Sequence, residues 1–461
     1  MMNCRRRLLG LAVYRLNIIH CLHLISLAAI HEWEEYQRVE VGQMKKIIEK
    51  YTHTSLMIRI IIGLVIGTVL GFLLPGGGLL PVLGKLFVGA LKSIAPVLVF
   101  VLVTSALVQG TTGLDSRFGK VIFLYLLSTF LAGIVAVFAG FLFPLTVKLP
   151  GAVKDIAAPS GVREVLKNLL LSMVNNPVEA LETGNYISIL FWSVLLGVIL
   201  RSTAQESTKT VLLDVSSAVS GIVSWVIQLA PFGVMGLIYE TISNSGMAIF
   251  IDYGKLLLLL VVTMLAVGLV LNPLLVFLML RTNPYPLVFR CIRESGFMAF
   301  FMRSSAANIP VNMRLCEKLG LDPDIYLVTI PLGATINMDG AAVVITILTL
   351  VTAHSTGITV DIPSAIILSF LSTLAACGTS GVAGGSLLLV PMACSLYGIP
   401  QDVAMAMVGV GYIINVIQDS FETALNSSGD VLFTATAEYH HWKKAGKSLP
   451  VFLGGTTKTE I

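Results

Sequence analysis

From Ser55 onward the chain alternates long apolar runs with short polar connections, and each run approaches or exceeds the ~20 residues a helix needs to cross a bilayer. The pattern predicts eight spanning helices, over about 55–74, 82–110, 120–147, 168–200, 211–240, 252–281, 326–353 and 401–428. In the first, Gly63, Gly67 and Gly71 recur at every fourth position and give one face a smooth stripe for close helix contact. Two more apolar segments, about 286–318 and 363–395, are broken in the middle by small polar residues. The first break reads Arg303-Ser304-Ser305-Ala306-Ala307-Asn308-Ile309-Pro310, and the second runs from Cys377 through Gly378, Thr379, Ser380, Gly381 and Val382 to Ser386. Each half is too short to span, so each segment is drawn as a re-entrant hairpin whose tip lies inside the membrane. Backbone uncovered at that depth is tolerated only where it is buried in protein or lines a polar cavity. Both hairpins are followed by a helix carrying a buried Asp, and broken segments in corresponding positions of two halves point to a transporter binding site. With the first hairpin entering from the cytoplasm and the second from outside, the two units are inverted repeats. A pair of loosely packed helical hairpins with a glycine hinge is the plainer alternative, and loop charges do not separate the two.

Composition strengthens the membrane reading: of 461 residues 56% are hydrophobic and only 12% charged, against about 25% charged in an average chain. A water-facing surface of normal size has too few charges here to cover it. That excludes a soluble enzyme, a disordered scaffold and a nucleic-acid binder. The formal net charge of +4 sits mostly in loops and reads as a topology signal. Lys45, Lys46, Lys50 and Arg59 put the N-terminus in the cytoplasm, and Lys443, Lys444 and Lys447 put the C-terminus there too. Lys148, Lys154, Arg163 and Lys167 fall in an outer loop and run against this rule. Residues 1–43 are expected to be a poorly ordered extension or an upstream start before Met44. Arg15, His20 and His23 interrupt the apolar stretch that a signal peptide needs. The transporter domain is assigned to 44–440 and a cytoplasmic tail to 441–461. Six cysteines show neither a C-x-x-C pair nor a His at metal-ligand spacing, so neither a disulfide nor a zinc site is expected.

The ionisable residues inside the apolar runs carry the functional signal. Between Ile325 and Ala353 there is one, Asp339, within Gly333-Ala334-Thr335-Ile336-Asn337-Met338-Asp339-Gly340. A carboxylate at that depth costs several kcal/mol unless a cation or donor compensates it. Sodium fits, because carboxylate, amide, hydroxyl and freed backbone carbonyls are all hard oxygen ligands; an internal pairing of Asp339 with Asn or Arg is the structural alternative. In the eighth span Asn415, Asp419, Glu422, Thr423, Asn426 and Asp430 recur at intervals of three and four and share one face. That face must look inward. Arg303 is the one nearby cation among these acids, so an incoming positive charge would balance them. Tyr125, Ser128 and Thr129 place three oxygens near one face of the third span.

These residues resemble the dicarboxylate/amino acid:cation symporters, the glutamate-transporter family. The resemblance rests on Arg303-Ser304-Ser305, Asn337-Met338-Asp339-Gly340, the Gly378–Ser386 tip and the Asp419–Asp430 run, and extends over about 50–440. The wording is most similar to the bacterial sodium/serine-threonine symporters. It implies a homotrimer in the bacterial inner membrane. A scaffold (mainly 55–110 and 168–240) would hold a transport part (mainly 120–147 and 252–436) that crosses the membrane as an elevator. By position, Asp419 would bind the substrate amino group, and Asn426, Thr423 and the Ser305 backbone, beside Ser304, its carboxylate. Gly381 and Val382 would close the outer hairpin. The sodium ligands implied are Asn337 and Asp339 with Tyr125, Ser128 and Thr129 at one site. Gly333, Asn426 and Asp430 would form a second, and Thr335, Met338, Cys377 and Thr379 a third.

One departure from the family pattern bears on substrate. Acidic amino acid carriers place Arg where this chain has Glu422, and a carboxylate there repels a second carboxylate but accepts a hydrogen bond from a hydroxyl. Two like charges at ~4 Å cost a few kcal/mol in a partly screened pocket, roughly a hundredfold in affinity. Asn415 and Ala341 also replace residues that other branches use, which bears on the number of coupled sodium ions. The expectation is therefore sodium-driven uptake of serine and threonine with no chemical transformation and no cofactor. The alternatives are a sodium- or proton-coupled carrier of other small neutral or dicarboxylic amino acids, a passive channel, and an intramembrane hydrolase using Asp339 and Asp419 as an acid pair.

Overall fold

The computed structural model describes residues 54–76, 78–109, 116–149, 162–246, 249–377, 379 and 384–455. The 1–43 extension, Lys45, Lys46, Lys50, Lys154, and the tip residues Gly381 and Val382 lie outside them. The chain divides after Arg59 into an N-terminal unit, of which only 54–59 are described, and a body from Ile60 onward.

The protein is an all-α, multi-pass membrane protein. Among the described residues, seven helices are long and apolar enough to cross a bilayer: Leu80–Val108, Arg117–Leu142, Tyr186–Thr203, Glu206–Gln228, Ile249–Leu280, Pro323–Ser355 and Gln401–Lys444. In chain order the elements are α1 (Leu56–Leu73), α2 (Leu80–Val108), α3 (Ser116–Leu142), α4 (Val162–Met173), α5 (Pro177–Thr183), α6 (Tyr186–Thr203), α7 (Glu206–Gln228) and α8 (Ala230–Ser245). They continue with α9 (Ile249–Leu280), α10 (285–302), α11 (Ser305–Lys318), α12 (Pro323–Ile336) and α13 (Asp339–Ser355). The last are α14 (Ile362–Ala376), α15 (Gly385–Ser395) and α16 (Gln401–Lys444).

Three predicted spans are broken by local chemistry. The single helix expected over 168–200 is three. Asn176 accepts the Val178 and Glu179 amides to cap α5 with Pro177 in its first turn, Gly184 ends it at φ 70°, and Asn185 caps α6. The helix expected over 211–240 stops at Gln228, because Pro231 has no N–H to continue it and instead opens α8. The helix expected over 326–353 is interrupted at Asn337-Met338, so Asp339 starts α13. Conversely, the last helix does not stop near 428; it runs unbroken to Lys444.

Packing follows the sequence of small and large residues. The Gly63-Gly67-Gly71 stripe lies against α8, where a Cβ at Gly63 would stand 2.2 Å from the Pro231 carbonyl oxygen and one at Gly67 2.4 Å from that of Met235. Helix α2 packs on α6, α7 and α8, whereas α16 packs on α3, α9, α10, α11, α12 and α13. Each interrupted segment holds two helices, α10 and α11 in the first and α14 and α15 in the second. In the first, α10 and α11 are tied by Asn308 Nδ2 donating to Ser295 Oγ at 3.0 Å. The chain reverses at Arg303, which sits at φ 53°, and Ser304 caps α11 by accepting the Ala307 amide at 3.2 Å. In the second, the chain returns through Gly384 at φ 73°, a conformation open to glycine. Helix α9 carries a π turn at Val267–Leu271, next to Pro273, whose missing N–H interrupts the ordinary helical ladder; α10 carries another at Ile292–Gly296.

Candidate functional site

Helix α16 is buried along most of its length, and its polar face meets Arg303 after α10, Gly384 before α15 and the Asn337-Met338 break. Asp419 is held by two groups. Arg303 Nε donates to its Oδ2 at 2.7 Å, and the Gly384 amide, from the second hairpin, donates to its Oδ1 at 2.8 Å. The guanidinium is anchored further by Nη2 donating to the Asn415 carbonyl at 3.4 Å. Both side chains of the ion pair are buried, at 6% and 4% exposure. A non-glycine residue at positive φ persists only where its surroundings fix it, and here the fixing partner is a buried carboxylate.

One turn along, Glu422 lies on the same face. Its Oε2 accepts the Ser386 hydroxyl at 2.8 Å and is bonded by the Gln418 amide. Thr423 bonds back to the Asp419 carbonyl at 2.8 Å, and Asn426 Oδ1 accepts the Gly340 amide at 2.7 Å. Ser305 is buried at the start of α11. The first hairpin, α13 and α16 thus bring Arg303, Ser305, Asp419, Glu422, Thr423 and Asn426 into one contiguous polar region.

A second cluster forms around the break in the α12–α13 span. Asp339 Oδ1 accepts Ser128 Oγ at 2.8 Å and Thr129 Oγ1 at 3.1 Å, while its Oδ2 accepts Asn272 Nδ2 at 3.0 Å. Ser128 Oγ is also 3.4 Å from Asn337 Oδ1, and Thr129 Oγ1 accepts the Met338 amide at 3.2 Å. Asn337 Nδ2 bridges onward, donating to the Asn426 carbonyl and to Asp430 Oδ1, both at 2.9 Å. The carboxylate at the first turn of α13 also faces the helix's positive end, and the break leaves carbonyls without helical partners.

Asp430 centres a third group. Tyr125 hydroxyl donates to the Asp430 carbonyl at 2.9 Å and stands 2.9 Å from Thr434 Oγ1. A Cβ at Gly333 would lie 2.8 Å from Asp430 Oδ1 and 2.9 Å from the Tyr125 hydroxyl, so the bare glycine keeps this group open. The Tyr125 hydroxyl therefore belongs with Asp430 and Gly333, while Ser128 and Thr129 face Asp339. The residues of the remaining expected set lie around the α12 end, where Cys377 Sγ stands 3.6 Å from the Ile336 carbonyl oxygen. Thr335, Cys377 and Thr379 line a cavity of about 410 Å³ shared with Ser105 and Gln109 of the α2 end, while Met338 Sδ is bonded by Asn426 Nδ2 at 3.3 Å.

Five uncharged residues were given no site role from the sequence yet belong to these networks. They are Asn272 on Asp339, Ser386 and Gln418 on Glu422, and Asn308 and Asn312, which bond Ser427 Oγ at 2.7 and 3.1 Å. Asn312 also reaches Asp430 Oδ2 at 3.4 Å. The only available signal was the i, i+4 spacing of Gln418 and Glu422, and of Asn308 and Asn312, on amphipathic helices.

The sodium:dicarboxylate symporter family model matches residues 56–439, the whole region from the first apolar helix to the end of the polar face of α16. The chain belongs to the sodium:dicarboxylate symporter family. A serine/threonine transporter of Bifidobacterium adolescentis is 57% identical over 410 residues, covering 89% of this chain and 95% of the relative. A serine/threonine transporter of Streptococcus thermophilus is 55% identical over 403 residues, covering 87% of this chain and all of the relative. One of Streptococcus agalactiae is 55% identical over 396 residues, covering 86% and 98%. Membership of a symporter family makes this chain a transport protein. The hydrolase alternative drops out with it: Asp339 and Asp419 share no hydrogen-bond partner among those described above, and each is held by its own donors.

Proposed function

We propose that this protein is a sodium-coupled symporter that takes up serine and threonine. The observation that carries the reading is the Glu422 carboxylate, fixed by Ser386 and Gln418 one turn from Asp419. It offers an acceptor to a substrate hydroxyl and repels a side-chain carboxylate. The similarity to carriers named for serine and threonine supports the same substrate class.

In this reading the substrate ammonium takes the place of Arg303 on Asp419. Breaking a buried ion pair without replacement costs about 3–5 kcal/mol, so the exchange of one cation for another keeps the carboxylate compensated throughout. Asn426, Thr423 and the Ser305 backbone receive the substrate carboxylate, and the second hairpin, with Gly381 and Val382 at its tip, closes over it. Sodium binds at Asp339 with Asn337, Ser128 and Thr129, and at Asp430 with Gly333, Asn426 and the Tyr125 hydroxyl. A further set is Thr335, Met338, Cys377 and Thr379. The Asn337 amide and carbonyl-bearing break connect the Asp339 and Asp430 groups to Asn426, which gives sodium occupancy a physical route to the substrate residues.

Eight spans with two re-entrant hairpins in inverted repeats, cytoplasmic termini, an inner-membrane location and a homotrimer complete the proposal. Helix α2 packs mainly on α6, α7 and α8 and meets the α16-centred group along a narrower seam that includes Phe87 against Tyr412, a division that supports a scaffold and a moving transport part operating as an elevator. Proteoliposomes loaded without sodium test the function. Labelled serine should accumulate against its gradient when sodium is outside, and equal uptake driven by protons alone would overturn the reading.

A further inference from the structure

A cavity of about 530 Å³ lies between α9, α10 and α16, walled by Phe289, Phe297 and Phe300 of one hairpin arm and by Phe421 and Leu425 of α16. Both π turns among the described residues line this cleft, and each contributes a glycine that lets its helix approach α16: a Cβ at Gly268 would stand 3.2 Å from Leu425 Cδ1 and one at Gly296 3.3 Å from the Ala424 carbonyl oxygen. The cavity opens past Phe289 and Phe297, which are 56% and 62% exposed. On a chain that spans the bilayer, the medium outside such residues is lipid.

Charge identifies which lipid. Arg293 lines the cavity with its side chain 79% exposed, and among the described residues its one ion-pair partner is Glu294 at 3.7 Å. That carboxylate is already shared with Lys318 at 3.0 Å and Arg290 at 3.2 Å. One acid among three cations leaves the Arg293 charge largely uncompensated at the mouth of an apolar cleft. From Arg293 to Phe300 the cleft follows about 10 Å of helix axis, and its walls along that length are aromatic and aliphatic. A guanidinium at one end and a greasy groove running from it match a phosphate with an acyl chain attached.

We propose that this cleft is a binding site for an anionic phospholipid of the bilayer, its phosphate paired with Arg293 and one acyl chain seated between Phe300, Phe421 and Leu425. In lipid surroundings there is no hydrophobic gain from burying the chain, so affinity comes from filling the groove and selectivity from the headgroup.

The test uses the full-length protein in phosphatidylcholine vesicles containing phosphatidylglycerol, with bromine placed on the acyl chains of one lipid or the other. Phe300→Trp reports from inside the cleft, and Phe301→Trp, 60% exposed and outside the cavity lining, reports the surrounding lipid. Quenching is read as the difference from the parent protein. Phosphatidylglycerol should be preferred about fivefold at the cleft reporter, the size expected for one basic residue near an anionic headgroup. The two lipids should quench the Phe301→Trp reporter alike. Adding Arg293→Gln should remove the preference at the cleft. Equal quenching by both lipids at the cleft reporter, or a preference that survives Arg293→Gln, overturns the proposal. Phe421→Trp serves as a second cleft reporter should Phe300→Trp not fold.

Discussion

Replacing Gly333 by Ala adds one methyl group at a point where there is no room for it. The new Cβ would stand 2.8 Å from Asp430 Oδ1, 2.9 Å from the Tyr125 hydroxyl and 3.0 Å from Asp430 Cγ. Neither neighbour can withdraw cheaply. Both are fully buried, Asp430 is tethered by Asn337, and the Tyr125 hydroxyl is engaged by the Asp430 carbonyl and Thr434. Overpacking of this kind costs about 1–3 kcal/mol. If Asp430 and the Gly333 region hold sodium, that strain falls on the ligands themselves and weakens sodium by about 5- to 150-fold. The assay is the external sodium concentration giving half-maximal serine uptake in proteoliposomes, measured beside thermal stability in detergent. Gly89→Ala is the control, since nothing lies within 4 Å of a Cβ there. A Gly333→Ala protein whose thermal stability falls while its half-saturating sodium is unchanged would refute the assignment of sodium to this group.

Three further outcomes follow from the same geometry. Asp419→Asn removes the charge that holds Arg303 and, in turn, the substrate ammonium; serine binding should be lost while the oligomer seen by size-exclusion chromatography persists, and retained affinity would contradict the role. Glu422→Arg should weaken serine and admit aspartate in a competition assay, by removing a repulsion worth roughly a hundredfold; unaltered selectivity would sink the specificity argument. Gly67→Ala places a Cβ 2.4 Å from the Met235 carbonyl oxygen and should lower thermal stability in detergent, by about 1–3 kcal/mol, with little change in sodium dependence. A variant as stable as the parent would show that the α1–α8 contact is not as close as described.

What the sequence made legible was the charged part of the site. Asp339 and the Asp419–Asp430 run stand out because an ionisable residue in an apolar run is costly and therefore conspicuous. The interruptions of the two apolar segments were legible for the same kind of reason, since Arg303-Ser304-Ser305 and Gly384-Gly385 are residues that end helices. The bonds made by Gln418, Asn272 and Asn312 were not legible, because a lone uncharged polar residue in a membrane helix most often bonds its own backbone, and Ser386 was visible only as the end of the second break. Only the tertiary arrangement shows that these four point at carboxylates. The breaks within 168–200 were written in the sequence as Asn-Pro and Gly-Asn, yet the hydropathy of the window outweighed them. The π turns left no periodic trace, and the pairing of the Tyr125 hydroxyl with Asp430 depends on how α3 sits against α16, which spacing along one helix does not encode.

The central claim is that buried carboxylates on α13 and α16 are compensated by sodium and by a substrate ammonium that bind together. A titration of purified protein with L-serine, once in sodium chloride and once in choline chloride at equal ionic strength, tests it directly. The account predicts that sodium tightens serine binding by at least about tenfold, within the usual range of coupling between two sites. Equal serine affinity in the two salts would contradict it.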